Sequence, residues 1–313
     1  MKLSPKISIV SPVYKAKEIL PHLVSKLKEA LILITLDYEI ILVDDGCPDD
    51  SWSQILNESN LDERVKGIKL SKNFGQHFAI SAGLTHTSGE WIVVMDCDLQ
   101  DNPLEILKLY TEATKGYDFV QARRQNRKDS ITKKMSSYLF HYIYKGLSGI
   151  NSDYTIANFG IYNRKVIDSI NSMKENSRSF PSLLSHVGFK HSYIDIEHHE
   201  RLYGKSSYTF DKLLKLSFDI IIANSNRPLK MSIKYGFLIS LLAFILAIYN
   251  VIANLVGLIK LPGYTSTIFS IWFVGGLILL TLGVLGLYID KIYTEVKSRP
   301  LFIISEKTNL NEF

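Results

Sequence analysis

Two aspartates one residue apart, Asp96 and Asp98, follow the apolar run Trp91-Ile92-Val93-Val94-Met95 and precede Gln100 and Asp101. Five apolar residues in a row suit a parallel strand covered on both faces. The carboxyl ends of such strands are where open α/β sheets hold ligands. If the backbone stays extended past Met95, both carboxylates point the same way. Their oxygens then suit one hard divalent cation, because Mg²⁺ takes one or two carboxylates and leaves its other positions to water and phosphate oxygens. A solvated acidic loop is the plain alternative for an isolated Asp-x-Asp.

Three other strand ends carry related chemistry. The first strand, Ile7-Ser8-Ile9-Val10, is expected to stop at Pro12, and the ring of Tyr14 beyond it can stack on a base. The second, Glu39 to Val43, leads into Asp44-Asp45-Gly46-Cys47-Pro48-Asp49-Asp50, with acceptors for a base edge or ribose hydroxyls. The third, Val65 to Leu70, leads into Ser71-Lys72-Asn73-Phe74-Gly75, just before a helix whose N-terminal amides favour anions. Each loop alone reads as a turn or a cap. Four on one sheet edge fit a nucleotide lying across it, its diphosphate on a metal at Asp96 and Asp98.

The elements that must position these loops alternate regularly. Helical patterns run from Ile19 to about Leu33, from an Asp50-Ser51 cap to Leu56, from Gln76 to Leu84, and from Asn102-Pro103 to Ala113. Phe119 to Ala122 reads as a further strand. Alternating strands and helices with short connections predict an α/β fold with a mainly parallel sheet. At 313 residues the chain can bury a full core of this kind. Beyond residue 123 the pattern weakens. Ser130 to Lys145 and Ser207 to Ile222 are aromatic and basic, and the second is read as an interfacial helix.

The C-terminal third differs. No charged residue occurs from Tyr235 to Ile259 or from Leu261 to Ile289, with Pro262-Gly263 supplying a turn between them. Each run exceeds the roughly 20 residues needed to span about 30 Å of hydrocarbon. Arg227, Lys230 and Lys234 precede this hairpin, Lys291, Lys297 and Arg299 follow it, and the connecting loop holds only Lys260. The positive-inside rule then places both ends, and the large N-terminal domain, in the cytoplasm. The expected organisation is a catalytic domain over 1–200, a juxtamembrane segment over 201–230, a hairpin over 231–290 with spans at about 235–259 and 266–289, and a cytoplasmic tail over 291–313.

The net charge of +5 is spread along the chain rather than gathered into a nucleic-acid footprint, so no nucleic acid is expected as a partner. Two cysteines, Cys47 and Cys97, make no disulfide framework, and reduced thiols are the favoured reading. The apolar stretch near the N-terminus is broken by Pro12 and is too short for a signal sequence.

Taken in order, Pro12-Val13-Tyr14, Asp44-Asp45-Gly46 with Asp49, Leu70 to Gly75, Ala82-Gly83-Leu84, Asp96 to Asp101 and Arg201-Leu202-Tyr203-Gly204-Lys205-Ser206-Ser207-Tyr208 resemble the inverting family 2 glycosyltransferases. More narrowly they resemble the polyprenyl-phosphate type with two membrane spans, over nearly the whole chain. The resemblance implies a GT-A, Rossmann-like catalytic domain and metal-dependent hexosyl transfer. It implies that Tyr14, Asp44 and Asp45, with Pro12 and Lys72, hold the nucleotide-sugar, and that Asp96, Asp98 and Gln100 surround Mg²⁺ or Mn²⁺. Arg201 would meet the acceptor phosphate or the donor diphosphate, helped by Arg123, Arg127 and Ser206, with Asp98, Arg123 and Arg201 closest to the chemistry. Planar guanidinium forks suit phosphate oxygens. The implied setting is the inner membrane of a bacterium, with a polyprenyl phosphate acceptor and a lipid bilayer as partners, and cell-envelope glycan modification as the outcome.

Two departures bear on mechanism. Lys15, Ala16 and Lys17 stand where the family often has an acid after Pro-x-Tyr, the nearest acid being Glu18, and Asn158 stands where many members have Asp. Asn158 cannot take a proton. A hydroxyl acceptor needs a base, whereas a phosphomonoester, with its second pKa near 6, is already a dianion at neutral pH. In-line attack by that dianion inverts the sugar's anomeric centre. A hydroxyl-accepting, non-processive transferase and a non-catalytic nucleotide-binding scaffold are the competing readings. The Gln-x-x-Arg-Trp pattern of processive synthases is absent, since none of Trp52, Trp91 and Trp272 follows an Arg. The tail Pro300 to Ile304 is open to two readings, a strand against a neighbouring subunit in a homo-oligomer or packing within one chain.

Overall fold

The computed structural model describes residues 6–124, 156–176, 178–196, 225–256 and 263–310. Within these, residues up to 196 together with 299–310 make one compact unit, and 225–298 another.

The first unit is built on one sheet of eight strands. In chain order these are β1 (Ile7–Val13), β2 (Tyr38–Asp44), β3 (Val65–Leu70), β4 (Trp91–Val94), β5 (Phe119–Arg124), β6 (Ile156–Asn163), β7 (His191–Ile196) and β8 (Ile304–Thr308). Across the sheet they lie in the order β7-β5-β6-β4-β1-β2-β3-β8. Strands β4, β1, β2 and β3 run parallel, and β4, β1 and β2 are buried along their whole length, as the centre of a sheet covered on both faces demands. β6 enters antiparallel between β4 and β5, and β7 runs parallel to β5. The sheet is therefore mixed, with a parallel centre. All of its ligand-facing ends, namely the carboxyl ends of β1 to β5 and β7 and the amino ends of β6 and β8, fall on one edge.

Helices α1 (Leu20–Ile32), α2 (Ser51–Leu61), α3 (Gln76–Leu84), α4 (Ile106–Ala113), α5 (Arg164–Ser172) and α6 (Phe180–Val187) cover the two faces. α1 buries Leu20, Leu23, Val24, Leu27 and Leu31, the stripe that a 3.6-residue period places on one side. Those side chains join Ile7, Ile9, Val13, Ile40 and Leu42 in the main core. On the opposite face Ile41, Val43, Ile68 and Leu70 meet Ala79 and Ala82 of α3. Asn102 caps the 3-10 turn Pro103–Glu105 that leads into α4, its side chain accepting from Leu104 N at 3.1 Å.

Several local expectations change. β1 does not stop at Pro12 but continues with β2 to the Val13–Asp44 pair. Met95 N donates to Val10 O at 3.1 Å and the β1–β4 ladder ends at Val10–Val94. Pro12 alternates with Val10, so the amide hydrogen it lacks falls on the β4 side, beyond the last paired residue. α2 extends to Leu61 rather than Leu56, and Asp50 does not cap its backbone. Asp50 instead accepts from the Ser53 hydroxyl at 2.5 Å and the Lys17 ammonium at 3.1 Å. The tail forms its strand a few residues later than Pro300–Ile304, and β8 pairs antiparallel with β3 of its own chain.

The second unit holds α7 (Arg227–Leu255) and α8 (Tyr264–Val296). At 29 and 33 residues and a 1.5 Å rise per residue they are about 44 and 50 Å long. Each contains a stretch long and apolar enough to cross a membrane, Arg227–Ile245 and Ser270–Val296. Large apolar side chains such as Phe237, Trp272 and Leu279 are 70% exposed or more, a surface suited to hydrocarbon rather than water. The expected interfacial segments at 130–145 and 207–222 lie outside the described residues.

At the end of the sheet away from the ligand edge, Glu39 is a buried ionic anchor. It accepts from Ser8 Oγ at 2.5 Å, Ser88 N at 2.7 Å and Lys66 Nζ at 2.5 Å. Burial alone would raise its pKa, but Lys66, Ser8 and Ser88 overcome that and hold the carboxyl below its usual range. A depressed carboxylate pKa stabilises the fold fully above the ordinary carboxylate value, and the contribution is lost as pH falls through the folded-state pKa. Glu39→Gln should therefore destabilise the first unit by about 2 kcal/mol at neutral pH. In denaturant melts the gap to the unsubstituted protein should close as the pH is lowered below about 4; a gap that does not change with pH would remove the ionic account.

Candidate active site

β1, β2, β3 and β4 deliver their four loops to one edge, and the strand order reverses between β1 and β4, where open α/β sheets form a crevice. Tyr14 stands just past β1 on one side of that crevice with 40% of its surface exposed. Asp96 to Gln100 stand past β4 on the other, each half-buried.

The neighbouring carboxylates Asp44 and Asp45 separate into different tasks. Asp45 is buried and grips the third loop, accepting from Phe74 N at 2.8 Å through Oδ1 and from Gly75 N at 2.9 Å through Oδ2. Burial raises its pKa, the amides of Phe74 and Gly75 offset part of that, and the charge of Asp44 adds to the rise. Gly46 follows with φ +62°, and a Cβ there would lie 2.3 Å from Lys72 C and 2.4 Å from Asn73 N. Only glycine lets the two loops close on each other at this point. Asp44 takes Cys47 N on Oδ1 at 2.9 Å, while its buried Oδ2 has no hydrogen-bond partner among the described residues. An orphaned, buried carboxylate oxygen at a strand end is an acceptor awaiting a donor.

The loop that Asp45 holds leads into α3, and Gln76 at its first position donates through Nε2 to Asp96 Oδ1 at 2.5 Å. Gln76 was not among the residues singled out in the sequence, since a glutamine opening a helix carries no signal of its own. The expectation of an extended Asp96-Cys97-Asp98 is corrected. β4 ends at Val94, a turn occupies Cys97 and Asp98, and Leu99 takes φ +55°. Asp98 Oδ1 accepts from Gln100 N at 3.2 Å, so Gln100 shapes the turn through its backbone. Leu99 and Lys15 are two of the four non-glycine residues with positive φ among the described residues, and both sit in loops of this edge. Such backbone costs of order 1 kcal/mol and persists where its surroundings enforce it.

Among the described residues no three His, Cys, Asp or Glu side chains converge into a self-contained metal cage. Asp96 and Asp98 supply a two-carboxylate, all-oxygen set. That donor set fits Mg²⁺ or Mn²⁺ completed by phosphate and water, and not a soft metal. Burial and then the charge of Asp96 push the thiol of Cys97, which stands between the two carboxylates, up to about 12. Cys47 is likewise pushed up to about 12, mainly by burial, and both thiols are free.

Lys17 replaces an expected acid and does mechanical work, pairing with Asp50 at 3.1 Å to tie the first loop to the second. Ala16 N donates to Ser51 Oγ at 3.2 Å, which donates in turn to Asp49 Oδ1 at 2.7 Å. Lys72 is exposed, its ammonium 5.1 Å from the Phe74 ring centroid. Arg123 closes the far side of the edge near the end of β5, its guanidinium 4.9 Å from the Tyr193 ring centroid. Asn158, early in β6, belongs to the same edge and is half-buried. Pro12 is buried within β1, two residues before Tyr14. Arg127, Arg201 and Ser206 lie outside the described residues; β7 ends at this edge with Ile196.

A family model described as glycosyl transferase family 2 matches residues 8–170. An uncharacterized glycosyltransferase of Bacillus subtilis, YkcC, is 36% identical over 96% of this chain and 93% of its own length. A protein of Enterobacter sp. named undecaprenyl-phosphate 4-deoxy-4-formamido-L-arabinose transferase is 35% identical over 96% of this chain and 92% of its own. Among solved structures, glucosyl-3-phosphoglycerate synthase from Mycobacterium tuberculosis, in complex with Mn²⁺, uridine diphosphate and phosphoglyceric acid, superposes with a TM-score of 0.53. It shares 14% identity and covers 71% of this chain and 78% of its own, a likeness of fold alone. The mixed sheet with its parallel centre is of the GT-A type, and the chain belongs to glycosyl transferase family 2.

Proposed function

We propose that this protein transfers a sugar, with inversion, from a nucleotide-sugar to the phosphate of a polyprenyl lipid of the undecaprenyl type, at the cytoplasmic face of a bacterial inner membrane. What carries this is the convergence on one sheet edge of Tyr14, the open oxygen of Asp44, the Asp96/Asp98 pair and Arg123, in a chain that also holds two helices long and apolar enough to cross a membrane. The relative named for undecaprenyl-phosphate transfer matches this chain from end to end, hairpin included, which supports the acceptor class.

Tyr14 stacks on the base and Asp44 accepts from the base edge or the ribose, while Asp45 acts through the Lys72 loop that it holds in place. Pro12 sets the height of Tyr14, and Lys72 faces the donor's phosphates. Asp96 and Asp98 would hold Mg²⁺ or Mn²⁺, which when bound neutralises the diphosphate leaving group. Arg123, with Arg127, Arg201 and Ser206, aligns the acceptor phosphate against the sugar. That phosphate is charged before it reacts, so Asn158 at this edge need not be a base. Connectivity supports the topology. β8 follows the hairpin yet pairs with β3, which supports an even number of crossings in between. The positive flanks then favour the cytoplasmic side.

Purified protein given polyprenyl phosphate, Mg²⁺ and a panel of nucleotide-sugars should form one lipid-linked sugar, with a free polyprenol competing poorly. Transfer to the neutral alcohol in preference to the phosphate would reverse the acceptor assignment. Asp98→Asn should lower kcat by about 10³-fold and abolish the metal dependence of nucleotide binding measured by calorimetry, with an unchanged circular dichroism spectrum. Gly46→Ala should displace the Lys72–Asn73 backbone and weaken donor binding about tenfold, leaving the acceptor KM as it was. Equal changes in both KM values would separate Gly46 from the donor side.

A further inference from the structure

The loop Ser71–Gly75 is held from two sides, and only one of them belongs to the sequence around it. On the β2 side stand Asp45 and Gly46. On the other side is the tail that follows the hairpin. Ser71 N donates to Ile303 O at 2.9 Å, and the Ser305 hydroxyl donates to Lys69 O at 3.1 Å. β8 pairs with β3 from Gly67–Thr308 to Leu70–Ile304, with an irregularity between Lys69 and Leu70 where the chain turns toward the loop. Phe302 and Ile304 pack against the cluster of Ile41, Val43, Ile68 and Leu70 that also receives Phe74.

The strand is anchored independently at its middle and beyond its far end. Glu306 accepts from Trp52 Nε1 at 3.0 Å and Lys69 Nζ at 2.5 Å, and the Asn309 carboxamide donates to Ser59 O at 2.7 Å and Val65 O at 2.9 Å. These contacts make the tail a built part of the sheet, with Phe302 and Ile304 half-buried against the apolar cluster beside the loop. The loop itself has no regular structure, so its position is the sum of these anchors. Truncating Phe302 removes one member of the apolar cluster that also receives Phe74, next to the Ile303 carbonyl that holds Ser71.

From these contacts we propose that the segment Phe302–Ile304 is a positioning element of the donor site, fixing the Ser71–Gly75 loop and through it the affinity for the nucleotide-sugar. The chain leaving the membrane hairpin is thereby a component of the nucleotide site and not a free terminus. The ligand's identity in this statement rests on the function proposed above; the grip on the loop does not.

The test uses full-length protein in nanodiscs, comparing Phe302→Ala and Phe302→Leu with the conservative Glu306→Gln in the middle of the strand. Hydrogen–deuterium exchange reports the loop, and calorimetry reports binding of ADP, CDP, GDP, UDP and dTDP with Mg²⁺. Phe302→Ala should speed exchange over residues 71–75 about tenfold while β1 and β2 keep wild-type protection. It should weaken the diphosphate that the wild type binds about five- to tenfold and leave the acceptor KM unchanged, with Phe302→Leu recovering most of both effects. Glu306→Gln should change neither loop exchange nor binding by more than about twofold. Wild-type exchange over 71–75 in Phe302→Ala, or faster exchange spread evenly through the sheet, overturns the positioning role. Wild-type protein that binds none of the five diphosphates instead overturns the donor reading, and loop exchange alone then decides the tail's part. If Phe302→Ala fails to fold, Phe302→Leu carries the same comparison with a smaller expected shift.

Discussion

The grip of the Asp45 carboxylate on the amides of Phe74 and Gly75 organises the edge around it. A buried carboxylate is costly unless hydrogen-bonded, and bonds from backbone amides to a charged acceptor return about 1.5–3 kcal/mol each. That exchange fixes where the third loop lies relative to β2. Gly46 is forced by the same closure, because the Lys72–Asn73 backbone occupies the space where a side chain would begin. With Gly75 set, α3 starts where Gln76 can reach Asp96. The consequence is a continuous line of contacts from the end of β2 to the end of β4. The residues read as nucleoside-binding and those read as metal-binding are mechanically one piece.

The central strands were legible because their physics is local. Ile7–Val10, Glu39–Val43 and Trp91–Met95 are mostly apolar stretches, Val65–Leu70 is β-branched and apolar at its inward positions, and a strand forms at each, the last ending at Val94. The same locality explains the failures. Pro12 obeys a rule about missing donors, but whether that matters depends on which neighbour it faces, and β4 has already stopped pairing there. β6 and β7 carry Asn, Gly, His and Asp among their apolar residues, so no period-two pattern announces them. β8 is the polar edge strand Ile-Ser-Glu-Lys-Thr, and its partner lies on the far side of the hairpin in sequence.

At the site, residue types were legible and their division of labour was not. Asp44 and Asp45 are chemically identical and adjacent, yet one is spent on backbone amides while the other keeps an oxygen open. The reach of Gln76 to Asp96 depends on the placement of a helix start, and the turn at Cys97–Asp98 on a positive φ at Leu99. These are tertiary outcomes. Cys97 is the opposite case, for a residue flanked by two acids in a buried loop end has little chance of becoming a thiolate, and its thiol is pushed up to about 12.

The far half of the edge constrains the chemistry in a different way. β6 runs antiparallel, so its beginning, with Asn158, shares the edge with Arg123 near the end of β5. The amide of Asn158 and the guanidinium of Arg123 offer donors to a developing or existing negative charge, and neither can take a proton; Asp195 stands opposite Arg123 on β7. A neutral hydroxyl gains little from such surroundings, because its difficulty is deprotonation. An acceptor phosphate gains alignment and charge matching, the two things that a preformed cation and a rigid strand end provide. On the proposed reading, replacing a carboxylate at residue 158 by an amide removes a repulsion from the path of an anionic nucleophile. The carboxylates around Asp44 and Asp96 stand on the parallel half of the edge, where on the same reading a nucleoside and a cation would use them.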